Sequence, residues 1–309
     1  MPRRPFPFSA PVGVLAVSLA ITACARQSLG SEAHADHLAM SAPAAAPAAA
    51  PALASDTGLP AGSGDVAVRL ASSPRHGEYV MIATGPSDSV RAWVAYPERS
   101  TKAPVVVIVH EIFGLSTWIR GVADQLAADG FIAIAPDLLT GKATPSAGSD
   151  TLTQTAATAA IRTLQPADVQ RQLAAVGQYG MSLPAAEHKY GVVGFCWGGG
   201  TSFSHAVASP TGLGAAVVYY GTSPASASLT SVKVPVLGLY AGDDARVGAT
   251  VPPADSAMRA LGKSFEPHTF DGAGHGFLRQ QDGKDGANLA ATRQAWPLTI
   301  SFFRTHLSR

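Results

Sequence analysis

The 309-residue chain has two cysteines, and they stand in unlike surroundings. Cys196 lies in Gly194-Phe195-Cys196-Trp197-Gly198-Gly199-Gly200, directly after the apolar run that starts at Tyr190. Glycines on both sides of a nucleophile permit a sharp strand-to-helix turn, which pushes its side chain out at the carboxyl end of a sheet. The G-x-C-x-G pattern is a nucleophile elbow with a thiol in place of the usual hydroxyl. A helix that begins there points its N-terminus at the sulfur and favours thiolate. The segment lacks the G-K-[ST] ending of a phosphate loop and the spacing of a dinucleotide fingerprint. The bland alternative is a buried cysteine between packing glycines.

A cysteine nucleophile needs a base and an acid to orient it. Behind an elbow of this kind the chain order is nucleophile, acid, base. The apolar run Val234–Tyr240 ends in Ala241-Gly242-Asp243-Asp244, and a later run, Phe265–Phe270, ends in Asp271-Gly272-Ala273-Gly274-His275-Gly276-Phe277. Histidine is the natural base near neutral pH. Singly, each is an ordinary loop residue. In this order, each at the end of an expected strand, they complete a Cys–His–Asp constellation of Cys196, Asp244 and His275. His110, followed by Glu111 at the end of VVVIVH, is the rival base; it is read as lining the substrate pocket floor. His188, His205, His268 and His306 are read as surface or packing residues.

The elements that must hold these residues alternate along the chain. Tyr79–Thr84 and Val90–Tyr96 flank Gly85-Pro86-Ser87-Asp88, a hairpin signal. Val105–His110, Phe131–Ala135, Tyr190–Phe195, Ala215–Tyr220, Val234–Tyr240 and Phe265–Phe270 read as buried strands. Helical spacing marks Trp118–Asp129, Ala167–Tyr179, Thr201–Ala208, Ala254–Leu261 and Ala287–His306. Gly141–Leu164, rich in Ala, Thr and Ser, reads as a connector. Strands alternating with helices imply an α/β fold: a mostly parallel central sheet flanked by helices, with an N-terminal antiparallel hairpin. Hydrophobic residues at 47% supply a core, and a net charge of +1 excludes a strongly basic nucleic-acid binder. Two cysteines exclude a disulfide-stapled mini-domain and a four-Cys zinc module.

The other cysteine closes a different pattern. Arg3 and Arg4 precede an apolar run from Val12 to Ala23, too short to span a bilayer and fitting a signal-peptide core. It ends in Ile21-Thr22-Ala23-Cys24, which resembles the lipobox of bacterial lipoproteins. Residues 1–23 are therefore expected to be a signal peptide, with Cys24 the lipidated first residue of the mature chain. Residues 24–64, carrying the Ala/Pro stretch Ser41–Ala54, are expected to be a tether, and 65–309 the folded domain. Arg26, where an Asp would signal inner-membrane retention, favours an outer-membrane anchor facing the periplasm.

Taken together, His110-Glu111-Ile112-Phe113-Gly114-Leu115, Ala135-Pro136-Asp137-Leu138, the cysteine elbow, Gly242–Val247 and Gly274-His275-Gly276-Phe277 resemble the dienelactone hydrolase family of α/β-hydrolases. The resemblance runs from about Tyr79 to the C-terminus. It implies hydrolysis of a small lactone or ester through an acyl-enzyme on Cys196, with His275 relaying the proton and Asp244, rather than Asp243, holding it. Glu111 resembles the family glutamate that keeps the resting thiol protonated. The backbone N–H groups of Ile112 and Trp197 would form the oxyanion hole. Arg279 stands where the family carries an arginine for the substrate carboxylate. A second family arginine is expected after Asp137, where Arg162 and Arg171 are the candidates. No metal or organic cofactor is implied, because thiol attack needs only base assistance and an oxyanion hole. The expected partners are a small-molecule substrate and a membrane reached through the lipid anchor, with no nucleic acid; the oligomeric state is left open, with a monomer favoured. The alternatives are a broad carboxylesterase and a non-enzymatic binding lipoprotein; a peptidase of this fold usually brings an additional domain.

Overall fold

The computed structural model describes residues 58–144 and 146–308. The signal peptide, Cys24 and most of the expected tether lie outside the described residues.

Eight strands form one sheet: β1 (Gly77–Gly85), β2 (Asp88–Ala95), β3 (Ala103–Val109), β4 (Ile132–Pro136), β5 (Ala186–Phe195), β6 (Leu213–Tyr219), β7 (Val236–Ala241) and β8 (Phe265–Phe270). Their spatial order is β1-β2-β4-β3-β5-β6-β7-β8. The hairpin β1–β2 is antiparallel and joins β4 antiparallel, while every pairing from β4 to β8 is parallel. All seven residues of β3 are buried, as its unbroken apolar run requires of a strand covered on both faces.

The helices are α1 (Val66–Ala71), α2 (Thr117–Ala128), α3 (Gln154–Ile161), α4 (Pro166–Ser182), α5 (Trp197–Ala208), α6 (Ala245–Gly248), α7 (Val251–Ala260) and α8 (Ala287–Leu307). Alternate side chains of β3 feed two cores. Val106 and Ile108 join Trp118, Phe131, Trp296 and Phe303 on one face. Val105, Val107 and Val109 join Leu173, Tyr190, Phe203 and Met258 on the other. From β3 the chain runs first to β4 on one side and later to β5 on the other, the reversal that opens a crevice at the carboxyl ends of parallel strands.

Three parts differ from the sequence expectation. The expected connector holds α3, capped by Thr153 Oγ1, which accepts the Ala156 N–H at 3.2 Å. Its Ala157 and Ile161 are buried on Leu139, so alanine's helix propensity finds an apolar seat. Helix α5 starts at Trp197 rather than Thr201. A Cβ at Gly198 would stand 2.3 Å from the Val109 carbonyl oxygen, so close packing outweighs the low helix propensity of glycine. The expected tether also ends earlier than residue 64: Leu59 is buried in the core, and the following residues are hydrogen-bonded to the domain.

Candidate active site

Cys196 sits between β5 and α5 with φ 58° and ψ −117°, a sparsely populated conformation for a residue bearing a Cβ. Its N–H donates to the Tyr219 carbonyl at 3.1 Å, which fixes the turn on the end of β6. Gly194 is required there, because a Cβ would fall 1.8 Å from the Gly198 carbonyl oxygen. The thiol is pushed above its ordinary pKa, first by burial and then by the Glu111 and Asp244 carboxylates. The Trp197 N–H and the Arg246 guanidinium pull the other way. Burial outweighs these, so the net shift is upward, against the direction in which the helix N-terminus alone acts.

The two adjacent aspartates after β7 part company. Asp244 opens α6: its Oδ1 accepts the Val247 N–H at 3.3 Å and its Oδ2 accepts His275 Nδ1 at 2.5 Å. Asp243 is exposed and its Oδ2 accepts a hydrogen bond from Lys284 Nζ at 3.0 Å. With Nδ1 donated to Asp244, the imidazole keeps Nε2 as its acceptor. No hydrogen bond joins Cys196 Sγ to His275 among the described residues.

The loop that carries His275 is held from three sides. The Gly274 N–H donates to Asn288 Oδ1 at 2.9 Å, and Asn288 Nδ2 donates to the Gln280 carbonyl at 2.7 Å. The Asp243 N–H donates to the Ala273 carbonyl at 2.9 Å. The His275 ring packs against Tyr220 at 5.2 Å between centroids.

The loop after β3 is dry. His110 is fully buried; its Nδ1 donates to the Glu111 carbonyl at 2.7 Å and its Nε2 accepts the Leu138 N–H at 3.2 Å. Burial lowers its pKa, and its ring stacks on Trp197. With both nitrogens taken by main chain, His110 has no ring nitrogen left to act as a spare base or to hydrogen-bond substrate. It braces the loop instead. Asp137 helps: Ser149 Oγ donates to Asp137 Oδ2 at 2.9 Å and accepts the Leu115 N–H at 2.8 Å.

Glu111 is buried, and its Oε2 has no hydrogen-bond partner among the described residues. Arg279 Nε lies 3.5 Å from that oxygen, and the guanidinium carbon sits 5.0 Å from the Phe113 ring centroid. Burial pushes Glu111 up to about 7 despite the opposing charge of Arg279. The Ile112 and Trp197 side chains pack on one small apolar cluster with α3.

The two candidates for a second arginine lie on α4 and at the end of α3. Arg171 is committed to the β1–β2 hairpin, donating to Asp88 Oδ2 at 2.7 Å and to the Thr84 carbonyl. Arg162 ends α3. Three site residues escaped sequence reasoning. Tyr220 is fully buried with φ 38°, and its hydroxyl has no hydrogen-bond partner among the described residues. Arg246, exposed on α6, reaches Cys196 through its charge. Asn288 clamps the histidine loop from α8. Only Arg246, two residues after Asp244, carried a signal in its spacing.

The profile of the dienelactone hydrolase family matches residues 90–307. A Salmonella typhi protein named "Putative carboxymethylenebutenolidase" is 31% identical over 228 residues, covering 70% of this chain and 83% of its own. An Escherichia coli K12 protein of the same name is 29% identical over 231 residues, covering 71% and 83%. A Klebsiella pneumoniae crystal structure, "Putative Dienelactone Hydrolase", superposes with TM-score 0.65 at 25% identity, over 75% of this chain and 99% of that one.

Proposed function

The chain belongs to the dienelactone hydrolase family of ester- and lactone-cleaving hydrolases, and on that premise we propose that it hydrolyses small lactones or esters with Cys196 as nucleophile. The observation that carries the reading is the His275–Asp244 pair at the ends of β8 and β7, beside a cysteine in the strained elbow conformation. In the proposed reaction the thiol proton passes to His275 Nε2 as Sγ attacks the carbonyl carbon. The oxyanion is held by the N–H groups of Trp197 and Ile112. The C–O bond breaks, His275 returns the proton to the leaving oxygen, and a thioester remains. Water, losing its proton to His275, attacks the thioester; the acid departs and the thiol is restored. Asp244 holds the imidazole in the tautomer that keeps Nε2 free.

Glu111 has a resting role in this reading. A carboxylate near a buried sulfur disfavours a second negative charge and keeps the thiol protonated, hence resistant to oxidation. Arg279 is the proposed anion-binding group for a substrate carboxylate. A broad carboxylesterase acting on neutral esters is a second reading, favoured by the engagement of Arg171 elsewhere and of Arg279 with Glu111.

The test is a panel of a dienelactone carboxylate, neutral lactones and a short p-nitrophenyl ester, run beside Cys196→Ala. Turnover that disappears in the variant supports the nucleophile. Equal turnover in both proteins removes Cys196 from the mechanism, and no turnover in either favours a binding protein. We further propose that Cys24 carries a lipid facing the periplasm. Palmitate labelling that survives Cys24→Ala rejects that anchor.

A further inference from the structure

The residues ahead of α1 are tied to the site. Leu59 is buried in the same core as Phe277 and Leu278, two and three residues after His275. The Arg69 guanidinium donates to the Leu59 carbonyl, Gln281 Nε2 to the Pro60 carbonyl at 2.7 Å, and Trp118 Nε1 to the Ala61 carbonyl at 3.1 Å. The next bond runs the other way: the Ser63 N–H donates to the Arg279 carbonyl at 2.8 Å. Gly62 lies close to the same carbonyl and to the Gln281 side chain.

Arg279 is thus held at both ends of its backbone. Its own N–H bonds the Gly276 carbonyl at 2.9 Å, and its carbonyl is held from across the chain. Its side chain then reaches Glu111. The segment lies ahead of the residues, 90–307, that the family profile matches. It is the last part of the expected tether, residues 24–64.

We propose that residues 58–64 are a positioning strap that sets the Arg279 guanidinium and so governs selectivity for substrates carrying a carboxylate. The proposal rests on reading Arg279 as the anion-binding residue. A guanidinium recognises a carboxylate through a planar fork, so a small shift of its backbone costs the paired geometry while leaving the elbow intact. Gln281 and Ser63 act through Arg279 and are positioning residues.

The test uses the full chain and two substrates, 4-nitrophenyl hydrogen succinate and its methyl ester. Gln281→Glu keeps the shape and removes the donor to Pro60. It is expected to lower the anionic-to-neutral ratio of kcat/KM by about 3- to 10-fold, the worth of one hydrogen bond, mainly through KM for the anion. Arg279→Ala is expected to lower the ratio at least as far. If Gln281→Glu fails to fold, Ser63→Pro, which deletes the N–H donor, carries the same measurement. Strap variants that lose thermal stability but keep the wild-type ratio, while Arg279→Ala collapses it, overturn the strap and leave the Arg279 reading standing. A ratio untouched by Arg279→Ala removes that reading, and the strap with it.

Discussion

Two loops face Cys196, and they treat ionisable groups in opposite ways. The loop after β8 leaves the His275 side chain 34% exposed and gives it a carboxylate partner, whereas the loop after β3 leaves Glu111 only 6% exposed with no hydrogen bond on Oε2 among the described residues. In the first, the proposed base keeps access to solvent and a carboxylate on Nδ1. In the second, dryness favours the neutral acid and raises Glu111 to about 7. The lesson is that one crevice separates the proposed base from the proposed restraining acid by burial rather than by residue type. His110 makes the same point: a histidine in the dry loop becomes a backbone brace.

The strongest way to break this contrast is to remove the wet-loop base. His275→Ala is expected to lower kcat by about 10³- to 10⁴-fold with the fold intact, read by ester hydrolysis and circular dichroism. If turnover survives and His110→Ala abolishes it in a folded protein, the roles are reversed. His110→Ala is instead expected to cost stability, roughly 2–4 kcal/mol in urea unfolding, because it opens a cavity and orphans the Leu138 N–H.

The dry loop should show itself in pH dependence. Glu111 is raised from 4.5 to about 7 by folding, so the folded protein holds its proton more tightly than the unfolded chain. Its contribution to stability is complete below pH 4.5 and is lost as pH rises through about 7. The span corresponds to roughly 3 kcal/mol, and Glu111→Gln should flatten it in urea unfolding at pH 5 and pH 8. The same variant removes a charge that disfavours thiolate, so iodoacetamide should alkylate Cys196 several-fold faster at pH 8. An unchanged alkylation rate separates Glu111 from the thiol.

The smallest effect sharpens the comparison within the wet loop. Asp243→Asn loses an exposed pair with Lys284 and should change stability by less than about 0.5 kcal/mol, with kcat near wild type. Asp244→Asn next to it should lower kcat by at least about 10²-fold, because the imidazole loses its orienting charge. Equal effects of the two would dissolve the distinction.

Much of the fold was legible in the order of elements, because buried strands declare themselves by continuous β-branched runs and the elbow by its glycines. The hairpin and its place at the antiparallel edge followed from Gly85–Asp88 and the alternation around it. α3 was not legible, because Ala- and Thr-rich segments carry no apolar stripe until Leu139 and its neighbours supply a surface. The strap was hidden by its position beside the low-complexity part of the tether.

By itself the sequence determined which residues could do chemistry. Cysteine between glycines, aspartate and histidine at strand ends are local patterns, and local backbone sterics enforce them. Only the tertiary structure gave Asp243 and Asp244 their different partners, turned His110 into a brace, raised the pKa of Glu111, and set Tyr220 and Asn288 beside the site. Those outcomes depend on burial and on partners remote in the chain. Dielectric surroundings and hydrogen-bond geometry exist only once distant segments have packed.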